Sequence, residues 1–268
     1  METSSQSNAG APPPLPVPAI AVETQNLVRQ FGDKRAVDCL SLRVERGCFY
    51  GFLGPNGAGK STTIKMLTGL LAPSSGQMRI LGEDVSDLSV AREIKRRIGV
   101  VPENLGLFEN LTAREYLSFI GRMYLMPRET IQARTAELLQ IMALEQEEKK
   151  LTLEYSHGMK KKLALAAALL PNPDLIFLDE PFEGVDVVSS RVLRDVLKRC
   201  VEHGATIFLT SHVLEIVEKL CTNVGIIAHG RLVLQQSMDE IRAQGSLEER
   251  FMTAVGRDHI EPQQLSWL

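Results

Sequence analysis

The run Gly54-Pro55-Asn56-Gly57-Ala58-Gly59-Lys60-Ser61 fits the pattern G-x-x-x-x-G-K-[ST] at every fixed position. Each fixed residue type answers a chemical need. Glycines let the backbone curl so that successive N–H groups converge on phosphate oxygens. A helix opening at Lys60 would aim its positive dipole end at the same anion. Lys60 brings a full charge to the β- and γ-phosphates, and the Ser61 hydroxyl can ligate Mg²⁺. Thr62 follows directly and joins the set expected to contact nucleotide. The pattern implies binding of a nucleoside triphosphate and leaves open what its energy is used for.

A second set of polar residues sits at the ends of apolar runs. Leu175-Ile176-Phe177-Leu178 leads into Asp179-Glu180, and Thr206 to Leu209 leads into Thr210-Ser211-His212. Asp179 is placed to hold hydrated Mg²⁺ through water, since Mg²⁺ keeps several of its waters. Glu180 is placed to orient or deprotonate the attacking water. Acidic residues at this position could instead cap the next helix. A histidine at a strand end is often structural. The carboxyl edge of a parallel sheet is nevertheless where such folds bind ligands, which favours a γ-phosphate contact for His212.

These residues need a scaffold that brings strand ends together. Ala21 to Val28 and Leu40 to Val44 alternate apolar and polar residues and read as strands, while Cys48 to Leu53 is a short continuous apolar run typical of a buried strand. The phosphate loop then leads to a helix from Lys60 to about Leu71, closed by Pro73 and Gly76, and Gln77 to Leu81 is another strand. Residues from about 105 to 155 carry helical periodicity through Leu117, Ile120, Leu138, Leu139 and Ile141. Val224 to Ala228 and Arg231 to Leu234 flank His229-Gly230 as a hairpin. Strand–helix–strand order with apolar strands argues for an α/β core with a mostly parallel sheet, into which a helical lobe is inserted.

Composition narrows the alternatives. The chain has 268 residues, is 44% hydrophobic and 24% charged, and carries a net charge of −3. That is ordinary for a globular protein, and it offers no basic field to attract nucleic acid, which is not expected as a partner. The four cysteines, Cys39, Cys48, Cys200 and Cys221, form neither a C-x-x-C pair nor a zinc spacing and read as buried, reduced thiols. Residues 1–20 are rich in Ser, Ala and Pro and read as a disordered leader without the basic and apolar regions of a signal peptide. The longest strongly apolar run, Leu163 to Leu170, falls far short of the roughly 20 residues that span a bilayer.

One further motif points to a family. Tyr155-Ser156-His157-Gly158-Met159, ahead of Asp179, resembles the signature motif L-S-G-G-Q of the ATP-binding subunits of ABC transporters. The resemblance covers residues of about 21 to 257. It implies a P-loop NTPase core with a mostly parallel sheet, an antiparallel β subdomain and a helical subdomain inserted at about 105–170, followed by a tail over 258–268. It further implies ATP and Mg²⁺ as cofactors, with Lys60, Glu180 and His212 as catalytic residues. Phe31 would stack on adenine, and Asp186, in Glu183-Gly184-Val185-Asp186, would link the two active sites of a homodimer. Ser156 and Gly158 would clamp the partner's ATP. A separate membrane permease would be the other partner, holding the chain at the inner face of the cell membrane. Leu105, Leu107 and Phe108 are apolar residues in a region expected at the surface, where a permease helix could dock.

Two motifs depart from the family pattern. Glu103, in Val100-Val101-Pro102-Glu103, stands where the family has a Gln that ligates Mg²⁺ and senses the γ-phosphate; Glu can offer an oxygen but adds negative charge. His157 and Met159 replace a Gly and the Gln of the signature. Both variants, and the ending Ser246-Leu247-Glu248-Glu249-Arg250-Phe251, resemble the bacterial ABC-2 type drug and polysaccharide exporters. Two other readings compete. A non-transport ABC ATPase would usually bring a second nucleotide module, long coiled coils or a basic surface. A regulatory subunit without turnover would not need Lys60, Asp179, Glu180 and His212 all present.

Overall fold

The computed structural model describes residues 19–256; the Pro-rich leader up to residue 18 and the tail over 258–268 lie outside the described residues, while Ile20, assigned to the leader, opens the first strand. A six-stranded sheet runs in the order β10-β9-β3-β8-β7-β6. It is built from β3 (Phe49–Leu53), β6 (Ile98–Val101), β7 (Leu175–Asp179), β8 (Thr206–Ser211), β9 (Asn223–Ala228) and β10 (Arg231–Ser237). Pairing is parallel throughout except at the edge, where β10 runs antiparallel to β9 as the expected hairpin. A four-stranded antiparallel sheet, ordered β2-β1-β4-β5, comprises β1 (Ile20–Phe31), β2 (Lys34–Glu45), β4 (Ser75–Ile80) and β5 (Glu83–Asp84).

Side-chain alternation in the central strands divides the interior into two layers. Phe49, Leu53, Ile176, Leu178, Ile207 and Leu209 face one core with the helices α3 (Ala113–Met123), α5 (His157–Leu169), α6 (Val187–Glu202) and α7 (Leu214–Leu220). Tyr50, Phe52, Leu175, Phe177 and Phe208 face the other, against α1 (Lys60–Leu67), α2 (Leu88–Lys95) and the antiparallel sheet. Phe208 is the hub of that second layer, with ring centroids 5.4 Å from Tyr50, 5.3 Å from Phe52 and 5.6 Å from Phe177.

Between β6 and β7 lies the helical region, with α3, α4 (Arg128–Ile141) and α5. Thr112 opens α3 with a capping box: its hydroxyl accepts from the Glu115 N–H, and the Glu115 carboxylate accepts from the Thr112 N–H at 2.9 Å. Thr152 donates to the Phe108 carbonyl at 2.8 Å and closes the segment back on itself. α5 lies on β6 so closely that a Cβ on Gly99 would fall 2.5 Å from the Ala168 carbonyl oxygen.

The two sheets are joined beside the phosphate loop. Arg231 of β10 donates to Asp38 of β2 through Nε at 2.8 Å and Nη2 at 2.6 Å. Those bonds, reinforced by Arg35, hold the Asp38 carboxyl below its ordinary range.

The structure corrects several expectations. α1 ends at Leu67, before the expected Leu71, because Gly69 takes φ +69° and the Leu70 and Leu71 N–H groups both turn back to the Lys65 carbonyl. β1 and β2 are longer than their alternating cores, since their hairpin continues through several register shifts to Phe31 opposite Lys34. The helix α2 and the strand β6 are additions to the sequence-based scheme. Cys39 is exposed, against the expectation of buried thiols, while Cys48 and Cys221 are buried and all four are free. Burial pushes the Cys48 thiol up to about 12.

Replacing Phe208 by Ala removes the ring that three neighbours pack against. Unfolding in urea should show a loss of about 3–5 kcal/mol, the range for a large buried aromatic truncated to Ala.

Candidate functional site

The phosphate loop links the end of β3 to the start of α1, and its backbone is shaped by what surrounds it. A Cβ on Gly54 would meet the Ile227 carbonyl oxygen at 2.4 Å, so β9 lies directly against the loop's first residue. Gly59 sits at φ +111°, with the Ala36 carbonyl oxygen 2.5 Å from where a Cβ would be; only glycine meets both demands. The Gly230 N–H, from the β9–β10 turn, donates to the Ala58 carbonyl at 2.9 Å. The loop is thus held on two sides, and the N-terminus of α1 opens into the cavity.

That cavity, of about 570 Å³, lies at the carboxyl edge of the sheet and is lined by Asn56, Gly57, Gly59, Lys60, Ser61, Thr62, Phe31, Glu103, Glu180 and His212. Lys34, Ala36 and Glu183 complete the wall. Lys60 is buried; its ammonium donates to the Gly54 carbonyl at 2.8 Å and lies 3.8 Å from the Glu180 carboxylate. His212 Nδ1 meets the other oxygen of Glu180 at 3.0 Å. Because a carboxylate only accepts, that contact places the imidazole proton on Nδ1. The His212 backbone is set by the next turn, where the Val213 N–H donates to the Ser211 hydroxyl at 3.0 Å.

β7 delivers Asp179 and Glu180, and the peptide between them turns sharply. Glu180 takes φ +49°, a left-handed conformation that costs a non-glycine residue about 1–3 kcal/mol. Thr210, one strand over, serves both acids: its hydroxyl donates to Asp179 Oδ1 at 2.6 Å and accepts from the Glu180 N–H at 3.1 Å. Sequence reasoning singled out His212 and passed over Thr210, although the two share one tripeptide. The Ser61 hydroxyl donates to Asp179 Oδ1 at 3.3 Å, so two hard oxygen donors converge from α1 and β7.

Phe31 is 47% exposed at the end of the β1–β2 hairpin, with the Arg29 guanidinium 4.5 Å over its ring. That cation covers one ring face, and the ring lines the cavity.

Ser156, Gly158 and Asp186 lie outside this cavity. Ser156 is the N-cap of α5, its hydroxyl accepting from the Met159 N–H at 3.3 Å. Asp186 caps α6 by accepting from the Ser189 N–H at 2.9 Å, and hydrogen bonds from Ser189 hold its carboxyl below the usual range. The two helix starts abut: a Cβ on Gly158 would lie 2.9 Å from Asp186 Oδ2.

Comparison with known proteins agrees with this geometry. Residues 37–183 match the sequence profile of the family described as ABC transporter. The bacitracin transport ATP-binding protein of Bacillus licheniformis is 40% identical over 222 residues, covering 82% of this chain and 71% of that one. The chain belongs to the ABC transporter family. The daunorubicin/doxorubicin resistance ATP-binding protein of Streptomyces peucetius is 38% identical over 226 residues, 84% of this chain and 68% of that protein. A solved ATP-binding subunit of an ABC transporter superposes with a TM-score of 0.81 at 29% identity, covering 88% of this chain and all of the other. The cbiO1 subunit of the transporter complex cbiONQ from Clostridium perfringens gives 0.74 at 28% identity, covering 84% and 92%. This ABC protein is accordingly an ATP-binding, ATP-hydrolysing subunit of a transporter.

Lys60→Ala removes the buried ammonium held by the Gly54 carbonyl in the wall of the cavity. Steady-state phosphate release by this ABC ATPase should fall by at least about 10²-fold, the scale for losing a preorganised charge donor. Turnover near the wild-type rate would remove Lys60 from the site.

Proposed function

We propose that this ABC ATPase drives export through a separate membrane permease and works as a homodimer, each ATP held between the phosphate loop of one copy and the signature helix of the other. The observation that carries the dimer is the position of α5. Its N-terminus, capped by Ser156, is a ready anion site. It nevertheless lies apart from the cavity that holds its own chain's Lys60, Glu180 and His212. A second copy is the natural source of the anion it would meet.

Residue roles follow from the contacts. Gly54, Pro55, Asn56, Gly57, Ala58, Gly59 and Thr62 shape or face the phosphate cradle, and Phe31 takes the base. Lys60, held by the Gly54 carbonyl and near Glu180, shifts to the γ-phosphate when ATP enters. That frees Glu180 to accept a proton from the attacking water as the new bond to γ-phosphorus forms and the bond to the β-bridging oxygen breaks. His212 Nδ1–H holds the Glu180 carboxylate in place. Mg²⁺ fits beside Ser61 and Asp179, whose oxygens converge as hard donors, and when bound it neutralises phosphate charge. Glu103 lines the same cavity and offers a further oxygen. Asp186 and Gly158, packed on one another, join the two halves of the dimer interface.

Location at the inner membrane face through the permease is supported by an exposed apolar patch. Phe108 is 52% exposed, stacked edge-on to Phe119 at 5.2 Å, beside the partly buried Leu105 and Leu107. Cargo of the drug or polysaccharide exporter class is supported by the printed names of the relatives, which concern bacitracin transport, daunorubicin/doxorubicin resistance and Nod factor export.

Glu180→Gln keeps size and hydrogen bonding but is a poor base, so hydrolysis should slow by about 10²–10⁴-fold while ATP binding persists. Light scattering after size exclusion should find a dimer with ATP and a monomer without it. Adding Gly158→Ala, whose methyl would press on Asp186 and Ser189, should return the ATP-bound form to monomer. A Glu180→Gln protein that stays monomeric at saturating ATP, with its permease present, overturns the dimer.

Phe108→Asp should release the chain from permease-containing membranes without changing ATP affinity. Unchanged sedimentation with those membranes would place docking elsewhere.

A further inference from the structure

Lys161 is a buried cation for which the mechanism above has no use. It stands in α5, in the turn after Ser156, and is only 2% exposed. Val101, Leu165, Leu178, Leu193 and Leu197 line the same small void as its side chain, so the stem is in apolar surroundings. A lysine so placed usually makes an ion pair. Among the described residues, no carboxylate lies within ion-pair distance of this one. Its ammonium donates instead to the backbone carbonyl of Glu180, at 2.9 Å.

That carbonyl belongs to the strained residue. Glu180 holds φ +49° at the end of β7, and its two peptide groups are tethered from opposite sides. On the amino side, its N–H donates to the Thr210 hydroxyl at 3.1 Å. On the carbonyl side, the oxygen accepts from Lys161 and, less closely, from the Glu183 N–H at 3.3 Å. Between these anchors the side chain is aimed so that its carboxylate lies 3.0 Å from His212 Nδ1 and 3.8 Å from the Lys60 ammonium. Remove the Lys161 anchor and the left-handed peptide is free to relax towards ordinary φ, turning the carboxylate away from the water it must activate.

We propose that Lys161 is a positioning residue for ATP hydrolysis: through its bond to the Glu180 carbonyl, the signature helix holds its own chain's general base in the strained conformation that hydrolysis requires. The inference rests on the reading of Glu180 as that base. One consequence follows from α5 being a continuous helix. The end that bears Ser156 faces outward, towards the proposed second copy, and the next turn holds Glu180 of the same chain. A shift of the helix on engaging the other copy's ATP is therefore carried to the first copy's base. Burial draws the pKa of Lys161 down, while Glu183, Glu103, Asp179 and Glu180 favour its charged form. The carbonyl bond is the direct contact through which that cation acts.

The test uses the full-length chain and Mg·ATP. Lys161→Met keeps the unbranched apolar stem and deletes the donor; kcat should fall by about 10²-fold, the scale of an ångström-level misplacement of a reacting group. The Kd for ATP should not change, since nothing in the phosphate cradle is touched. Lys161→Arg, which restores a donor, should recover most of the rate. In a Glu180→Gln background, Lys161→Met should add no further loss, because both changes act on the same group. A purely structural lysine would give losses that multiply. Wild-type kcat in Lys161→Met, a loss carried by Kd, or multiplying losses in the double variant would each overturn the proposal. Lys161→Leu gives the same comparison should the Met variant not fold. Wild-type turnover by Glu180→Gln alone would instead overturn the reading of Glu180, a separate result.

Discussion

A lysine and a glutamate, both buried and 3.8 Å apart, meet at the carboxyl edge of the sheet. Taking either charge out of water is costly, and their attraction offsets that cost only in part, so each must find further partners. Lys60 finds the Gly54 and Pro55 carbonyls; Glu180 finds His212. The rest of the site follows from this constraint. The loop must curl so that its carbonyls reach Lys60, β7 must end in a left-handed turn so that Glu180 reaches inward, and β8 must end just before His212. A triphosphate entering such a site would compete for an ammonium that donates to two carbonyls and lies 3.8 Å from the Glu180 carboxylate. In the proposed mechanism Lys60 moves from carbonyls to phosphate because an anionic acceptor adds Coulomb attraction to the hydrogen bond.

The sheet makes this possible by keeping its strand ends level. β3, β7 and β8 pair in parallel with continuous register, Leu53 opposite Ser211 and Asp179 opposite Thr210. The phosphate loop, the two carboxylates and the histidine therefore emerge side by side from strands far apart in sequence. Alternation of Phe208 into one layer and Ile207 and Leu209 into the other anchors β8 on both faces, so that its end does not wander. The chemistry is polar, but its precision derives from apolar packing beneath it.

What could be read from the amino-acid order, and what could not, divides along physical lines. The phosphate loop was legible because its backbone geometry admits only particular residue types at fixed spacing. The strands β3, β7 and β8 were legible because a strand buried on both faces has to be an unbroken apolar run. The early end of α1 was not, since Gly69 closes it by its backbone conformation and the sequence beyond it reads as equally helical. Thr210 and Lys161 were invisible for a different reason. Each meets a backbone group of Glu180, Thr210 its N–H and Lys161 its carbonyl, and a backbone donor or acceptor leaves no trace in the identity of the residue that owns it. Lys161 also stands in the run Lys160-Lys161-Lys162, and only the packing of α5 against the sheet shows that Lys161 and Lys162 are buried.

The two departures from the family pattern are accommodated by neighbours rather than by the residues themselves. His157 brings a ring to a place where the signature has glycine. Its Nε2 lies 3.2 Å from the Glu183 carbonyl, and its Cδ2 would lie 3.2 Å from a Cβ on residue 184. Gly184, at φ +65° and without a side chain, supplies the room. The ring thereby ties the start of α5 to the loop that ends in Asp186, adding a side-chain link beside the tight contact of Gly158 with Asp186. Glu103 places an additional carboxylate in the cavity wall, near the charge of Lys161. A cation held in the protein by a neutral carbonyl retains most of its field, so Lys161 offsets part of the repulsion that Glu103 would exert on an incoming phosphate. The anchoring of Glu180 and the tolerance of Glu103 are then two effects of a single buried ammonium, one acting by a hydrogen bond and the other through space.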